Sequence, residues 1–328
     1  MQNYKGFPLV FVVRKKVTVV VPVYDEAPNV SVLAKKINAE FEHSEYDHEL
    51  IFVDDGSTDD TLVRLTELSE CDKNVFFISF SRNFGQQNAI KAGLDHATGD
   101  CVITMDGDLQ HPPSMIKEFL KHWEDGYDVV YTLREPDKTT SWFKRTSSKL
   151  FYKVMSLISD VPIEDGSADF RLLDRVVVDQ LKRLPEIGPF YRGLVKWVGF
   201  NQKAISYKAA PRHSGRTKYS LNKMIQLAVE GATSFNIRPL VFSISLGFFF
   251  SVFSLVAYLP YMIYMLSSRN HFPRWASLIS LVVFFGGLNL IVLGFIGIYI
   301  GKLFLQAKSR PHYIVQKSNL CQTSVPSY

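Results

Sequence analysis

Acidic residues are missing from the last third of this chain. All 32 Asp and Glu lie at or before Glu230, and the later charges are Arg238, Arg269, Arg274, Lys302, Lys308, Arg310 and Lys317. The net charge of +5 is therefore a property of the carboxyl-terminal part. It is no nucleic-acid signature, and no nucleic acid is expected as a partner. Cysteine is scarce: Cys71, Cys101 and Cys321 are odd in number and lack any CxxC or zinc-type spacing, which argues against a disulfide framework and for a reduced compartment. The eight histidines are dispersed with no HExxH, so a histidine-built zinc site is not expected and most should be surface residues. Neither GxGxxG nor GxxxxGK[ST] occurs, which disfavours dinucleotide enzymes and P-loop ATPases. There is no internal repeat and no low-complexity linker. The short apolar run Phe7 to Val13 precedes Arg14, Lys15 and Lys16 and has no small-residue cleavage pattern, so it makes a weak signal peptide.

Charge is also absent, of either sign, from Pro239 to Ser268 and from Trp275 to Gly301. Each run exceeds the roughly 20 apolar residues that cross about 30 Å of hydrocarbon. With Arg269, Pro273 and Arg274 between them, they predict a two-helix transmembrane hairpin. Basic residues follow the second run and precede the first (Lys218, Lys223, Arg238) in excess of those in the loop, which places both termini on the cytoplasmic side. Gly286, Gly287, Gly294, Gly297 and Gly301 line the second run, a pattern that fits a homo-oligomer as well as a monomeric bundle.

Before these runs, short β-branched segments alternate with helical patterns. Val17 to Val21, Leu50 to Val53, Val75 to Phe80, Cys101 to Met105 and Asp128 to Thr132 read as strands. The fold class is therefore α/β, with a mostly parallel sheet covered on both faces. Ligands of such sheets gather beyond the carboxyl ends of the strands. The polar clusters Pro22 to Glu26, Asp54 to Asp60 and Asp106 to Gln110 each follow a strand and so point into one crevice. Beyond residue 140, Phe143, Leu150, Phe151, Val154, Leu157 and Ile158 recur at helical spacing among Lys144, Arg145, Lys149 and Lys153. They predict an interfacial helix or an ordinary surface helix. Tyr219 to Phe235 is a second helix expected near the membrane. The expected organisation is a core over 1–140, an acceptor-side region with interfacial amphipathic helices over 141–236, two transmembrane helices over 237–305 and a cytoplasmic tail over 306–328.

The turn Met105-Asp106-Gly107-Asp108-Leu109-Gln110 ends a buried strand. Its glycine permits tight backbone geometry that gathers oxygen side chains around one hard cation, Mg²⁺ or Mn²⁺. In Asp54-Asp55-Gly56-Ser57-Thr58-Asp59, one of Ser57, Thr58 or Asp59 is suited to cap a helix. Without a phosphate loop, a metal is what would neutralise a bound diphosphate.

Val21-Pro22-Val23-Tyr24-Asp25-Glu26, Asp54-Asp55-Gly56-Ser57, Ser81-Arg82-Asn83-Phe84-Gly85, Asp106-Gly107-Asp108-Leu109-Gln110 and Ala168-Asp169-Phe170-Arg171 together resemble the family 2 glycosyltransferases of GT-A fold. Among these, the chain is most similar to the polyprenyl-phosphate glycosyltransferases of the bactoprenol glucosyltransferase and dolichol-phosphate mannose synthase type, from about Val17 to Pro311. The resemblance implies that Pro22, Tyr24, Glu26, Asp54, Asp55 and Asp106 shape the nucleotide-sugar pocket. It implies that Asp106 and Asp108 hold diphosphate and metal, with Gln110 as a further metal ligand. Asp169 matches a carboxylate that acts at the sugar or as catalytic base. Arg134, Arg145, Arg212 and Lys218 match basic positions for the acceptor phosphate. Gly107 stands where many relatives have Ala, and His111 where an acidic residue is common.

The implied activity is inverting, metal-dependent transfer of a sugar from a nucleotide sugar, UDP-glucose being a preferred kind of donor and GDP-mannose an open one. The acceptor is undecaprenyl or a related polyprenyl phosphate, at the inner (plasma) membrane. A lipid phosphate is already anionic near neutral pH, so positioning is a larger task than making a nucleophile. A processive polysaccharide synthase is the enzymatic rival, but it predicts a QxxRW-type motif, which Arg192-Gly193-Leu194-Val195-Lys196-Trp197 is not. An inactive sugar-nucleotide-binding membrane scaffold is disfavoured by the full set of carboxylates.

Overall fold

The computed structural model describes residues 14–135, 166–186, 188–208 and 274–320, with Ser245, 247–249, Val252 and Ile263 between them. The chain divides into two compact units: Met1–Thr140, Glu164–Lys218 and Pro311–Tyr328 in one, Ser141–Ile163 and Tyr219–Arg310 in the other.

The first unit is built on an eight-stranded sheet. The five expected runs form β1 (Lys16–Val23), β2 (Asp47–Asp54), β3 (Val75–Phe80), β4 (Cys101–Thr104) and β5 (Val129–Arg134). Three further strands come from beyond residue 140: β6 (Ser167–Asp174), β7 (Gln202–Tyr207) and β8 (Val315–Ser318). Their order is β7-β5-β6-β4-β1-β2-β3-β8. All run parallel except β6 and β8, each antiparallel to its neighbours. This is the α/β, mostly parallel architecture that the alternation predicts.

The helices α1 (Ala27–Phe41), α2 (Thr61–Cys71), α3 (Gln86–His96), α4 (Met115–Glu124), α5 (Arg175–Lys182) and α6 (Tyr191–Trp197) cover the sheet. Side chains alternate across a strand. Val17, Val19 and Val21 of β1 join one core cluster with Val30, Leu33 and Ile37 of α1 and Ile116 and Phe119 of α4. Val20, also fully buried, lies outside that cluster, while α3 packs on β1 and β2. Strands buried on both faces explain the near-continuous apolar runs. Emptying one of these positions, as in Phe119→Ala, costs about 3–5 kcal/mol.

Two features position the site. The parallel strands β1 to β4 all end at one edge, and antiparallel β6 begins there. Its register sets Arg171 opposite Thr104, so Asp169 lies just past the end of β4.

Residues 306–328, which the sequence leaves as a tail, supply β8. It pairs with β3, and Ser81 N donates to Ile314 O at 3.0 Å. Asn319 extends the edge, its Oδ1 accepting from Phe77 N at 2.7 Å and its Nδ2 donating to Val75 O at 3.3 Å.

In the second unit, α7 (Arg274–Ala307) covers the whole second charge-free run. Its segment Phe284–Ala307 is the one helix, among the described residues, long and apolar enough to cross a membrane. Its 24 residues span about 36 Å at 1.5 Å per residue. The described residues of the first run, Ser245, 247–249, Val252 and Ile263, are helical; the rest of it lies outside the described residues, as do the helices expected near 143–158 and 219–235.

Candidate active site

The walls of the crevice are tied by carboxylates. Asp54, 1 % exposed, accepts from Ser57 N at 3.0 Å and from the Ser79 hydroxyl at 2.7 Å. Asp55 follows it at the end of β2 and accepts from Phe84 N at 2.7 Å and from Gly85 N at 3.0 and 3.1 Å. Burial pushes the Asp55 carboxyl up to about 6, against the pull of those amides. Gly56 sits between these loops at φ 69°, where an added Cβ would collide with the backbone of Arg82 and Asn83. Asp25, itself at φ 52°, joins the loop after β1 to the loop after β2. Its amide donates to the Ser57 hydroxyl oxygen at 2.9 Å, and its Oδ1 accepts from Thr58 N at 2.8 Å. Glu26 N donates to Thr61 Oγ1 at 2.9 Å, and Glu26 Oε2 accepts from Asn29 Nδ2 at 2.5 Å. The N-cap position of α2 falls on Asp60, one residue beyond the expected group and without a side-chain cap bond, while Asp59 accepts from Thr61 N at 3.0 Å.

The turn after β4 holds Asp106, Asp108 and Gln110. Its left-handed residue is Leu109, at φ 62°, and Asp108 Oδ1 accepts from Gln110 N at 3.1 Å across it. Gly107 serves a different purpose from the one the sequence suggests: a Cβ there would lie 2.8 Å from Val23 Cγ1, so the glycine lets this turn press on the end of β1. His111 is buried at 3 % exposure. It stacks on Phe170 at 4.8 Å, and its Nδ1 accepts from Asp106 N at 3.1 Å.

Thr104 Oγ1 donates to Asp169 O at 2.6 Å, which fixes β6 beside β4. Arg171 Nη2 reaches Asp169 Oδ1 at 2.9 Å, and Arg192 Nη2 reaches Oδ2 at 2.9 Å. Burial alone would raise the Asp169 carboxyl, but Arg192 and Arg171 outweigh it and hold it at about 2. Asp106 shifts the other way: burial raises it, with Asp169 and Asp108 adding to the effect. Anionic charge thus crowds the Asp106 side of the crevice while Asp169 is already paired.

Glutamines from the start of α3 connect the two carboxylates. Gln86 Nε2 donates to Asp106 Oδ1 at 2.6 Å. Gln87 Nε2 lies 3.4 Å from Asp169 Oδ2, and its Oε1 accepts from Tyr191 N at 3.0 Å.

Pro22 is buried in β1 and Tyr24 follows it, half-buried, at the same edge of the sheet. Arg134 is exposed at the end of β5, where its register partner is Tyr207. Arg145, Arg212 and Lys218 lie outside the described residues.

A model of glycosyl transferase family 2 matches residues 18–182, which takes in the turns after β1, β2 and β4 and the start of β6. The chain belongs to glycosyl transferase family 2. An uncharacterized glycosyltransferase of Bacillus subtilis, YkcC, is 41% identical over 302 residues, 92% of this chain and 93% of its own length. A prophage-derived bactoprenol glucosyl transferase of Shigella flexneri is 38% identical over 304 residues, 93% of this chain and 98% of its own. A prophage bactoprenol glucosyl transferase homolog of Escherichia coli is 36% identical over 306 residues, 92% and 99% of the two chains.

In this family 2 glycosyltransferase, three residues of the site carry no signal in the sequence reading. Gln86 and Gln87 are uncharged and belong to none of the quoted motifs. Arg192 entered only as part of a segment used to exclude a synthase motif.

Proposed function

We propose that this glycosyltransferase moves a hexose from a nucleotide sugar, UDP-glucose among the preferred donors, to undecaprenyl or a related polyprenyl phosphate. The observation that carries the reading is the delivery of Asp106, Asp108 and Asp169 to one sheet edge by β4 and antiparallel β6. Relatives with bactoprenol glucosyl transferase names, covered almost end to end, support the acceptor.

The donor set fits Mg²⁺ or Mn²⁺. Among the described residues no group of three His, Cys, Asp or Glu gathers at a metal-binding distance. Two carboxylates with Gln110 suit a hard cation that takes its other ligands from substrate phosphate and water. Burial, with the charges of Asp169 and Asp108 beside it, raises the Asp106 carboxyl, and a bound cation would offset that cost. Such a cation supplies charge stabilisation to the departing diphosphate. Asp54, Asp55, Pro22, Tyr24 and Glu26 shape the nucleotide wall. Arg134, with Arg145, Arg212 and Lys218, is assigned to the acceptor phosphate.

Asp169 acts as a fixed negative charge that orients the sugar. A carboxylate held at about 2 by two guanidinium groups is too weak a base to take a proton near neutrality. A lipid phosphate needs no such base, so the chemistry and the geometry agree. Attack on the anomeric carbon from the face opposite the diphosphate inverts it.

The membrane reading gains support from the sheet. Because β8 pairs with β3, residues 315–318 stand on the same side of any bilayer as the strands β1 to β7. If α7 crosses once, the chain between β7 and α7 must cross once more, and the uncharged run 239–268 is suited to do so. Two spans would then leave domain and tail on one side, and the excess of basic residues outside the loop favours the cytoplasmic side.

The test is to incubate purified protein with Mg²⁺ or Mn²⁺, undecaprenyl phosphate and a panel of nucleotide sugars, and to weigh the lipid product by mass spectrometry. One sugar added per lipid is expected. A growing polysaccharide, or nucleotide binding without lipid product, would overturn the reading in favour of a synthase or a scaffold.

A further inference from the structure

The segment after α7 reaches beyond closing the sheet edge. Tyr313, two residues before β8, stacks on Phe80 at 5.0 Å and 16° between ring planes. Its hydroxyl donates to Asp95 Oδ2 on α3 at 3.1 Å, while Lys91 Nζ holds Asp95 Oδ1 at 3.1 Å. Phe80 is the last residue of β3 and is 1 % exposed. It sits at a register shift in the β3–β8 pairing, between Ser79 and Phe80, and bulges of this kind re-aim a side chain. Phe80 in turn meets Phe84 edge-on at 5.7 Å, and the Arg82 guanidinium lies over Phe84 at 4.3 Å. Tyr313 therefore grips the residue before the loop 81–85, Phe80, and the far end of the helix that follows it, where Asp95 lies nine residues beyond Gln86.

That loop has one evident job. Its Phe84 and Gly85 amides bind Asp55, and it ends where α3 begins with Gln86 and Gln87. Gln86 donates to Asp106 and Gln87 lies 3.4 Å from Asp169, so a shift of the loop moves both amides relative to the two carboxylates.

We propose that Tyr313 is a positioning residue for sugar transfer, acting through Phe80 and Asp95 to hold the loop 81–85 and with it the Gln86 and Gln87 amides on the two carboxylates. The proposal rests on the function proposed above for those carboxylates. The ring carries most of the effect, because stacked aromatics supply rigid contact area and the hydroxyl adds one bond to an already paired Asp95. Burial, with Asp95 beside it, pushes the Tyr313 hydroxyl far above the usual tyrosine range, so it stays a donor.

The test uses the full-length protein in detergent with UDP-glucose, Mn²⁺ and undecaprenyl phosphate, comparing Tyr313→Leu, Tyr313→Phe and wild type. Misplacement of reacting groups by about 1 Å costs up to about 100-fold in rate. Tyr313→Leu is expected to lower kcat at least about 10-fold with KM for UDP-glucose changed less than about 3-fold, and Tyr313→Phe to stay within about 3-fold of wild type. Hydrogen–deuterium exchange gives a readout free of the reaction. Amides of 81–90 should exchange faster in Tyr313→Leu while those of β2 do not. Unchanged protection of 81–90, or a wild-type kcat in a folded Tyr313→Leu, overturns the proposal. Global loss of protection in Tyr313→Leu, with wild-type kcat in Tyr313→Phe, marks a purely structural residue and overturns it too. If wild type transfers no sugar yet 81–90 responds as expected, the brace stands and the assigned reaction falls.

Discussion

Arg192 closes on Asp169 with Nε 3.2 Å from each carboxylate oxygen and Nη2 2.9 Å from Oδ2, a fork that leaves the carboxylate ionised across the whole physiological range. An aspartate depressed below its unfolded value of about 3.9 contributes stability above that pH and loses it only as pH falls through about 2. No acidic limb of the pH–rate profile between pH 5 and 8 should therefore belong to Asp169. A limb in that range that disappears in Asp169→Asn would sink the fixed-charge role.

Removing Asp169 also strands its partner. Arg171 is 3 % exposed and would keep a buried charge without the carboxylate it bonds. Asp169→Ala should lose activity and about 3–5 kcal/mol of stability, read from thermal or denaturant unfolding. Asp169→Ala unfolding like wild type would show that the pair contributes nothing.

Asp108→Ala should abolish transfer and weaken Mn²⁺-dependent nucleotide binding, because the turn after β4 would keep only one of its two carboxylates. Titration of UDP with and without Mn²⁺ checks it. An Asp108→Ala protein that still transfers sugar rejects the assignment of the metal ligand.

Asp55 carries the opposite pH signature. With its carboxyl at about 6 in the fold and about 3.9 unfolded, the native state holds a proton that the unfolded chain has released. Its contribution to stability therefore falls as pH rises from about 4 to about 6. Asp55→Asn should flatten that part of the stability–pH curve, measured by unfolding at stepped pH. An identical slope in the variant would show that another group titrates there.

Gly56→Ala combines a left-handed φ with a clash against Arg82. Such a substitution costs well over about 1 kcal/mol and should part the loops after β2 and β3, weakening nucleotide binding more than it weakens the core. A nucleotide titration alongside a melt separates the two effects.

Much of the fold was legible because valine-rich parallel strands write their burial directly into the sequence, as Val17 to Val23 does. Less legible were the strands that break this rule. β6 carries Asp169 and Arg171 at buried positions, so charge hides its alternation. β8, Val315-Gln316-Lys317-Ser318, is exposed throughout and has no apolar face to read; it is defined by its partner. The same division holds in the site. Carboxylates after strands announce themselves, whereas Gln86 and Gln87 act through geometry that only the packing of α3 creates. His111 stood out only as a replacement for a common acidic residue, and its stack on Phe170 depends on a strand that the alternation did not reveal.

The late position of β8 has a consequence for biosynthesis. Until residues 315–318 leave the ribosome, β3 offers an open hydrogen-bonding edge, the kind of surface that invites wrong partners. Since those residues are translated after α7, the sheet is finished only once the apolar helix has emerged and can enter lipid. A chain truncated within or before the helix would keep the β3 edge open and be prone to pair with wrong partners.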